Sequence, residues 1–269
     1  KHVEELMSAR QEGYEAYVLF VIQLKDVESF SPNREAQPAF GDILIKARRA
    51  GVKVLAYDCE VGPDSLMLRK EVPVVLSSLD RIAEPLLAWY DRGRRILPWR
   101  ESPTPYHVWI SEIMLQQTRV EAVKQYYARF IEELPTIEHL ANVSEEKLLK
   151  LWQGLGYYNR AKNLKKAAIE IMEQHNGIIP NSYEKLLSLK GIGEYTAGAI
   201  ASIAFGLPEA AVDGNVIRVL SRLYADNRNH TELKKEYANS IKKVLQQTNP
   251  SIFNQALMEL GALICFPNG

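Results

Sequence analysis

From Ser78 onward, apolar residues recur every three or four positions with hardly a break, and that period belongs to helices packed on helices. The runs are RIAEPLLAWY, VWISEIMLQQTRVEAVKQYYARFI, SEEKLLKLWQGLG, AKNLKKAAIEIMEQHNG, YEKLLSLKG, TAGAIASIAFG, GNVIRVLSRLYA, LKKEYANSIKKVLQQ and FNQALMELGALIC. Glycines, prolines and Ser/Asn/Asp clusters part them, and these are the residues that end helices. Ser144 followed by Glu145 and Glu146 predicts a helix start; Asn176-Gly177 predicts a helix end.

Residues 1–77 read differently. EAYVLFVIQ is a short run of Val, Ile and aromatics, the pattern of a buried strand. A polar loop, SPNREAQ, follows. FGDILIKARRAG has helical spacing through Ile43, Leu44 and Ala47 and stops at Gly51. VKVLAYDCEV predicts a second strand, SLMLRKEVPVVL one or two more, and Val3–Arg10 an entering helix. Strand, helix, strand is a βαβ order. The expected fold class is therefore mixed: a small α/β segment over 1–77, then an all-α domain over 78–269.

An apolar fraction of 46% over 269 residues is enough for a proper core. The two cysteines, Cys59 and Cys265, lie far apart, which argues against a disulfide framework and fits a reducing cytoplasm. There is no charged-then-apolar leader and no apolar run near the roughly 20 residues of a membrane span. A first residue of Lys1 predicts that the natural N-terminus lies upstream. Basic and acidic residues balance at 33 each. If this chain grips nucleic acid, it does so with a local basic face and backbone amides rather than with net charge.

Three short features carry candidate chemistry. LKGIGEYTAGAI, residues 189–200, sets Gly191 and Gly193 between two helices. Glycine tolerates positive φ in such a turn and leaves N–H groups open at a helix start, where a phosphate binds without regard to sequence. The same string also suits a plain turn. Its small residues Ala197, Gly198, Ala199 and Ala201 predict close approach by another helix. Asp213, in AVDGNV, stands where it can cap a helix, serve as a catalytic carboxylate, or both. Glu112 lies among Ile110, Ile113, Met114 and Leu115. It is either an exposed helix glutamate or a buried acid whose pKa burial raises. One protonated and one ionised carboxylate suit glycosidic cleavage through an oxocarbenium-like state.

PWR, SEIMLQQT, WQGLGYYNRA, LKGIGEYTAGAI and AVDGNVIRV, in this order, closely resemble MutY-type adenine DNA glycosylases from about Ser78 to Cys265. The resemblance implies a helix–hairpin–helix fold whose first and last helices join. It also implies removal of adenine mispaired with 8-oxoguanine or guanine in duplex DNA. Glu112 matches the acid that protonates adenine N7, and Asp213 the carboxylate that steadies the sugar cation. Tyr195 and Asn215 match residues supporting them, and Trp99, Arg100 and Gln255 match the pocket of the flipped adenine. Gln117, Thr118, Leu155 and Tyr157 match residues that enter the duplex. Without the resemblance, Trp99 and Tyr157 read as core aromatics. Related endonuclease III-type enzymes carry a lysine where this chain has Tyr195, so a monofunctional enzyme without efficient lyase activity is expected.

The same family holds a 4Fe-4S cluster with four cysteines. Cys265 matches the first, and FPNG then ends the chain, so no cluster is expected here. Residues 1–77 resemble the C-terminal part of SfsA (sugar fermentation stimulation) proteins, through AYVLFVIQLKDVESFSPN and AGVKVLAYDCEV. That family looks DNA-associated and nuclease-like, but its acidic E-x-K run is not present. Asp42, Asp58 and Glu60 read as surface or strand-end charges. A bacterial, cytoplasmic, DNA-associated monomer is the expectation. Its alternatives are a non-catalytic helix–hairpin–helix DNA-binding fragment and a nuclease working through the N-terminal half.

Overall fold

The computed structural model describes every residue except 34–35, 77, 225, 227 and 268–269. Part of the predicted polar loop (Arg34, Glu35), the expected boundary residue Ser77, the end of one predicted helix (Ala225) and the last two residues of FPNG therefore lie outside the described residues. The chain divides into two compact units, Lys1–Glu84 and Pro85–Gly269.

The first unit holds helix α1 (His2–Gln11), strand β1 (Tyr17–Ile22), helix α2 (Pro38–Arg49), and strands β2 (Lys53–Val61) and β3 (Leu66–Glu71). The sheet order is β1-β2-β3, with β1 and β2 parallel and β3 antiparallel to β2. The parallel pair joined through α2 is the βαβ unit that the sequence predicted. Ala16, Ala47 and Val52 form a small core with Val3, Leu6 and Met7 of α1 packed on it. Asp58 differs from the expected surface charge. It is fully buried and accepts from the backbone N–H groups of Asp26 and Lys70, with Arg69 beside it. These bonds tie β2 to β3 and to the turn after β1. They hold its carboxyl below the usual range, the Lys70 N–H foremost, against the cost of burial.

Helix α3 (Ser78–Gly93) carries Pro85 inside it, and the division between units falls there. The rest is helical: α4 (Pro98–Glu101), α5 (Pro105–Leu115), α6 (Val120–Glu133), α7 (Ile137–Asn142), α8 (Glu145–Trp152), α9 (Asn159–Gln174), α10 (Tyr183–Ser188), α11 (Glu194–Ala199), α12 (Gly214–Tyr224), α13 (His230–Leu245) and α14 (Pro250–Leu263). Starts are written locally. Thr104, Thr136, Ser144, Ser182 and Asn249 each accept a first-turn N–H, and Pro98, Pro105 and Pro250 occupy first positions. The core gathers Trp109, Phe130, Leu140, Leu148, Trp152 and Ile200, among others. Helix α5 is buried on all sides from Val108 to Met114, which is why Glu112 is not on a wet face.

The predicted helix TAGAIASIAFG is α11 continued by one π turn, Ile200–Ala204. The small-residue stripe admits a non-helical segment rather than the expected helix at its tightest point. A side chain on Gly198 would run into the backbone carbonyl of Ala210. Gly198→Val should therefore cost about 3 kcal/mol or more, because backbone cannot step aside as a side chain can. Urea denaturation would measure it, and a loss under 1 kcal/mol would refute the close approach.

Candidate active site

One cleft of about 1000 Å³ opens in the second unit, lined by residues from α3–α5, the segments after α5 and before α9, α11, the start of α12 and α14. It brings together Glu112, Asp213, Tyr195, Asn215, Trp99, Arg100, Gln255, Gln117, Thr118 and Tyr157 from the predicted set.

Glu112 projects from the buried helix α5 and is 6% exposed. Burial raises its pKa to about 7, with the nearby Asp213 adding to the shift and the Tyr195 hydrogen bond and Arg100 opposing it. The Tyr195 hydroxyl donates to Glu112 Oε2 at 2.5 Å. Tyr195 itself is pushed well above its ordinary value, by burial first and then by the two carboxylates. It is thus a fixed donor rather than a base.

Asp213 turns out to be a helix cap as well as a cleft carboxylate. Its Oδ1 accepts the Val216 N–H at 2.8 Å and closes the first turn of α12. Its Oδ2 accepts from Asn215 Nδ2 at 2.9 Å. Asn215 is held in turn by Arg218, which donates to Asn215 Oδ1 at 2.8 Å and to the carbonyls of Gly261 and Cys265. Burial raises the Asp213 pKa, and the Val216 and Asn215 bonds counter it. The two carboxylates therefore differ. Glu112 has one hydrogen-bond donor and a dry helix around it, which keeps a proton on. Asp213 has two donors and the positive end of α12, which favour the anion.

Trp99 is buried in the cleft wall, edge-on to Tyr127 at 5.4 Å. Gln255 accepts from the Tyr90 hydroxyl, which ties the first and last helices of the unit. Arg100 is not free: together with Arg95 it grips the buried Glu259. Arg95 donates from its N–H, Nε and Nη2, and Arg100 from Nη2 at 2.8 Å. These bonds overcome burial and hold the Glu259 pKa down at about 2. Sequence reasoning missed this cluster. Its signal was the one that singled out Glu112, a lone carboxylate in an apolar run, here ALMELGALI.

Two expectations need correction. Gly193 has φ −94°, which any residue adopts; the left-handed turn is made at Gly191, φ +80°, where a side chain would also strike Asn163. What Gly193 supplies is openness, since a side chain there would meet nothing. Leu155 is 6% exposed and packed in the core, so it is not presented to a duplex. Tyr157, two residues on, is 64% exposed, with φ +47°. Gln117 is also exposed and left-handed, φ +56°, and Thr118 beside it is half-buried. Non-glycine residues pay about 1–2 kcal/mol for that conformation, and such strain concentrates at functional sites.

The thiol of Cys265 accepts from Arg222 at 3.1 Å, and Cys59 belongs to the other unit. With two cysteines in the chain, the donor set does not fit a four-thiolate cluster. Among the described residues no group of three His, Cys, Asp or Glu is placed to hold a metal ion.

A buried acid with a raised pKa and a helix-capping carboxylate, in one cleft with the helix that follows a glycine hairpin, define a helical two-carboxylate site. Residues 110–247, just over half of the chain, match the HhH-GPD superfamily base excision DNA repair protein family, and the chain belongs to it. Residues 1–65 match the sugar fermentation stimulation protein RE domain. The chain is 45% identical over 183 residues to an adenine DNA glycosylase of Buchnera aphidicola subsp. Baizongia pistaciae, covering 68% of this chain and 52% of that protein. It is 43% identical over 245 residues to the adenine DNA glycosylase of Homo sapiens, covering 82% of this chain and 45% of that one. The chain thus spans about half the length of these curated relatives. Among solved structures, a thermostable thymine-DNA glycosylase superposes with a TM-score of 0.62 at 29% identity, over 71% of this chain and 88% of that one. An endonuclease III–DNA complex shares the fold, with a TM-score of 0.59 at 23% identity over 71% and 87%.

Proposed function

We propose that the chain is a monofunctional glycosylase that hydrolyses the N-glycosidic bond of adenine mispaired with 8-oxoguanine or guanine in duplex DNA. The observation that carries this reading is the pairing in one cleft of Glu112, buried on α5 with its pKa raised to about 7, with Asp213, whose two oxygens accept from the Val216 N–H and from Asn215. Glycosidic cleavage needs a proton on the leaving base and a negative charge near the developing sugar cation. Glu112 gives its proton to adenine N7 as the bond breaks. Asp213 stabilises the oxocarbenium ion, and water adds with Glu112, now ionised, taking its proton. Tyr195 and Asn215 aim the two carboxylates. The base must leave the stack to reach them. Trp99, Arg100 and Gln255 line the pocket that takes it, while Tyr157 and Gln117 fill the gap left in the duplex. The hairpin around Gly191 and Gly193 grips a phosphate, so affinity does not depend on net charge. Names shared by relatives at 41–45% identity support adenine as the base. Among the described residues no helix is long and apolar enough to cross a membrane. We place its work on DNA in the bacterial cytoplasm.

The test is single-turnover adenine release from a duplex with one 8-oxoguanine:adenine pair, with a guanine:thymine duplex alongside. Release of adenine and not thymine is expected; thymine release alone, or none of either, overturns the reading. A second expectation comes from Tyr195. A phenol cannot form the Schiff base through which a lysine opens the sugar. Strands should therefore stay intact until alkali is added, and a borohydride-trapped protein–DNA adduct would contradict this.

A further inference from the structure

We propose that Arg160 is a positioning residue that holds the segments on either side of the cleft mouth, residues 115–118 and 154–158, as one rigid wedge. This rests on the glycosylase reading in one respect only, that Gln117 and Tyr157 are the residues that meet the duplex.

Arg160 lies in the first turn of α9, and its guanidinium spans both segments. Nη1 donates to the carbonyls of Ile113, Met114 and Gln116. Nη2 donates to the carbonyls of Leu155 at 3.0 Å and Gly156 at 3.3 Å, and to Thr118 Oγ1 at 3.4 Å. The plane of the same group stands over the Tyr157 ring at 5.6 Å and the Trp152 ring at 5.4 Å. Among the described residues no carboxylate pairs with it. A half-buried cation that spends its Nη donors on carbonyls at the end of α5 and in two separate loops serves to fix backbone, not to balance a charge. What it fixes is specific. Each loop presents one left-handed, exposed, non-glycine residue, Gln117 and Tyr157, and neither conformation is held by its own sequence. Gln116 further ties the first loop to the hairpin helix, through Nε2 to Thr196 Oγ1 at 3.3 Å. The wedge is thereby tied to α11, the helix that follows the glycine turn.

The test is Arg160→Lys in the full chain, since an ammonium keeps the charge but cannot reach six acceptors in a fork. Its first reading is hydrogen exchange at two amides: Thr118, bonded to the Leu115 carbonyl, and Leu155, bonded to that of Trp152. Both should exchange at least about tenfold faster while the α10 amides stay as they were. A rise at one loop alone, at neither, or evenly through the domain would overturn the proposal; the last would mean that Arg160 merely supports the fold. The second reading is adenine release. The variant should lose about 10²-fold on the paired duplex, the scale of a small misplacement. It should lose much less when adenine faces an abasic site and needs no wedge to stay out of the stack. Equal losses on both would overturn the proposal. If the native chain releases no adenine from either duplex, the proposed function fails, and the exchange reading decides the wedge alone.

Discussion

Glu112→Gln should lower adenine release by about 10³-fold while leaving a folded protein that still binds the mispaired duplex. A positioned general acid supplies on the order of 10²–10⁴ in rate, and glutamine has no proton to give. The substitution keeps the shape of the side chain and an oxygen to accept from Tyr195. It should even stabilise the fold at alkaline pH. The native Glu112 pKa is raised from 4.5 to about 7, so its contribution is fully present below about pH 4.5 and is lost as pH rises through about 7. Above that, the buried anion costs up to ~3 kcal/mol, which glutamine avoids. The same sign governs activity: release should fall as pH rises past about 7, where Glu112 arrives already ionised. Asp213 sets the acid side, because it must be charged. Single-turnover assays from pH 5 to 9, with urea denaturation of both proteins at pH 8, check the pair. A variant with native rates, or one less stable than the native chain at pH 8, would sink the assignment.

Glu259→Ala should be the most damaging change to stability outside the apolar core. It leaves Arg95 and Arg100 facing each other without their shared carboxylate, and breaking a buried pair in this way typically costs about 3–5 kcal/mol. The lowered pKa gives the same scale. A drop from 4.5 to about 2 corresponds to ~3 kcal/mol. Because the folded pKa is depressed, that stability is present above about pH 4.5 and drains away as pH falls toward 2. The native protein should therefore lose stability steeply between pH 5 and 3, and the variant much less over the same range. Denaturation midpoints at pH 7 and pH 3.5 decide it. A variant within 1 kcal/mol of native at pH 7 would show that the arginines find other partners.

The helices and the two carboxylates were legible in the sequence because each is encoded locally. Apolar spacing sets the helix faces, Ser144 writes its own helix start, and the neighbours Ile110, Ile113 and Met114 made burial one of the two readings open to Glu112. Asp213 was readable as a cap from AVDGNV alone. What the sequence did not disclose depends on residues far apart in the chain. Arg95 and Glu259 are separated by 164 positions, and neither signals the other. Nothing in WQGLGYYNRA marks Arg160 as a tie; of its six acceptors two lie at the end of α5 and four on two loops whose paths are set by tertiary packing. Leu155 and Gly193 were misjudged for a related reason. A motif specifies which residues are present, but backbone φ and burial decide which of them face outward. Asp58 was taken for a surface charge because nothing in VKVLAYDCEV foretells the three donors that converge on it.

Asp213 holds the first turn of α12 with the same side chain that faces the cleft. Asparagine and serine cap helices about as well as aspartate. Either one at this position would keep the cap on the Val216 N–H, and with it the helix, while removing the charge and the oxygen that accepts from Asn215. Such an inherited change would be silent to any screen that scores abundance or thermal stability. Under the proposed mechanism, a cell carrying it would hold a full complement of well-folded protein and none of its chemistry.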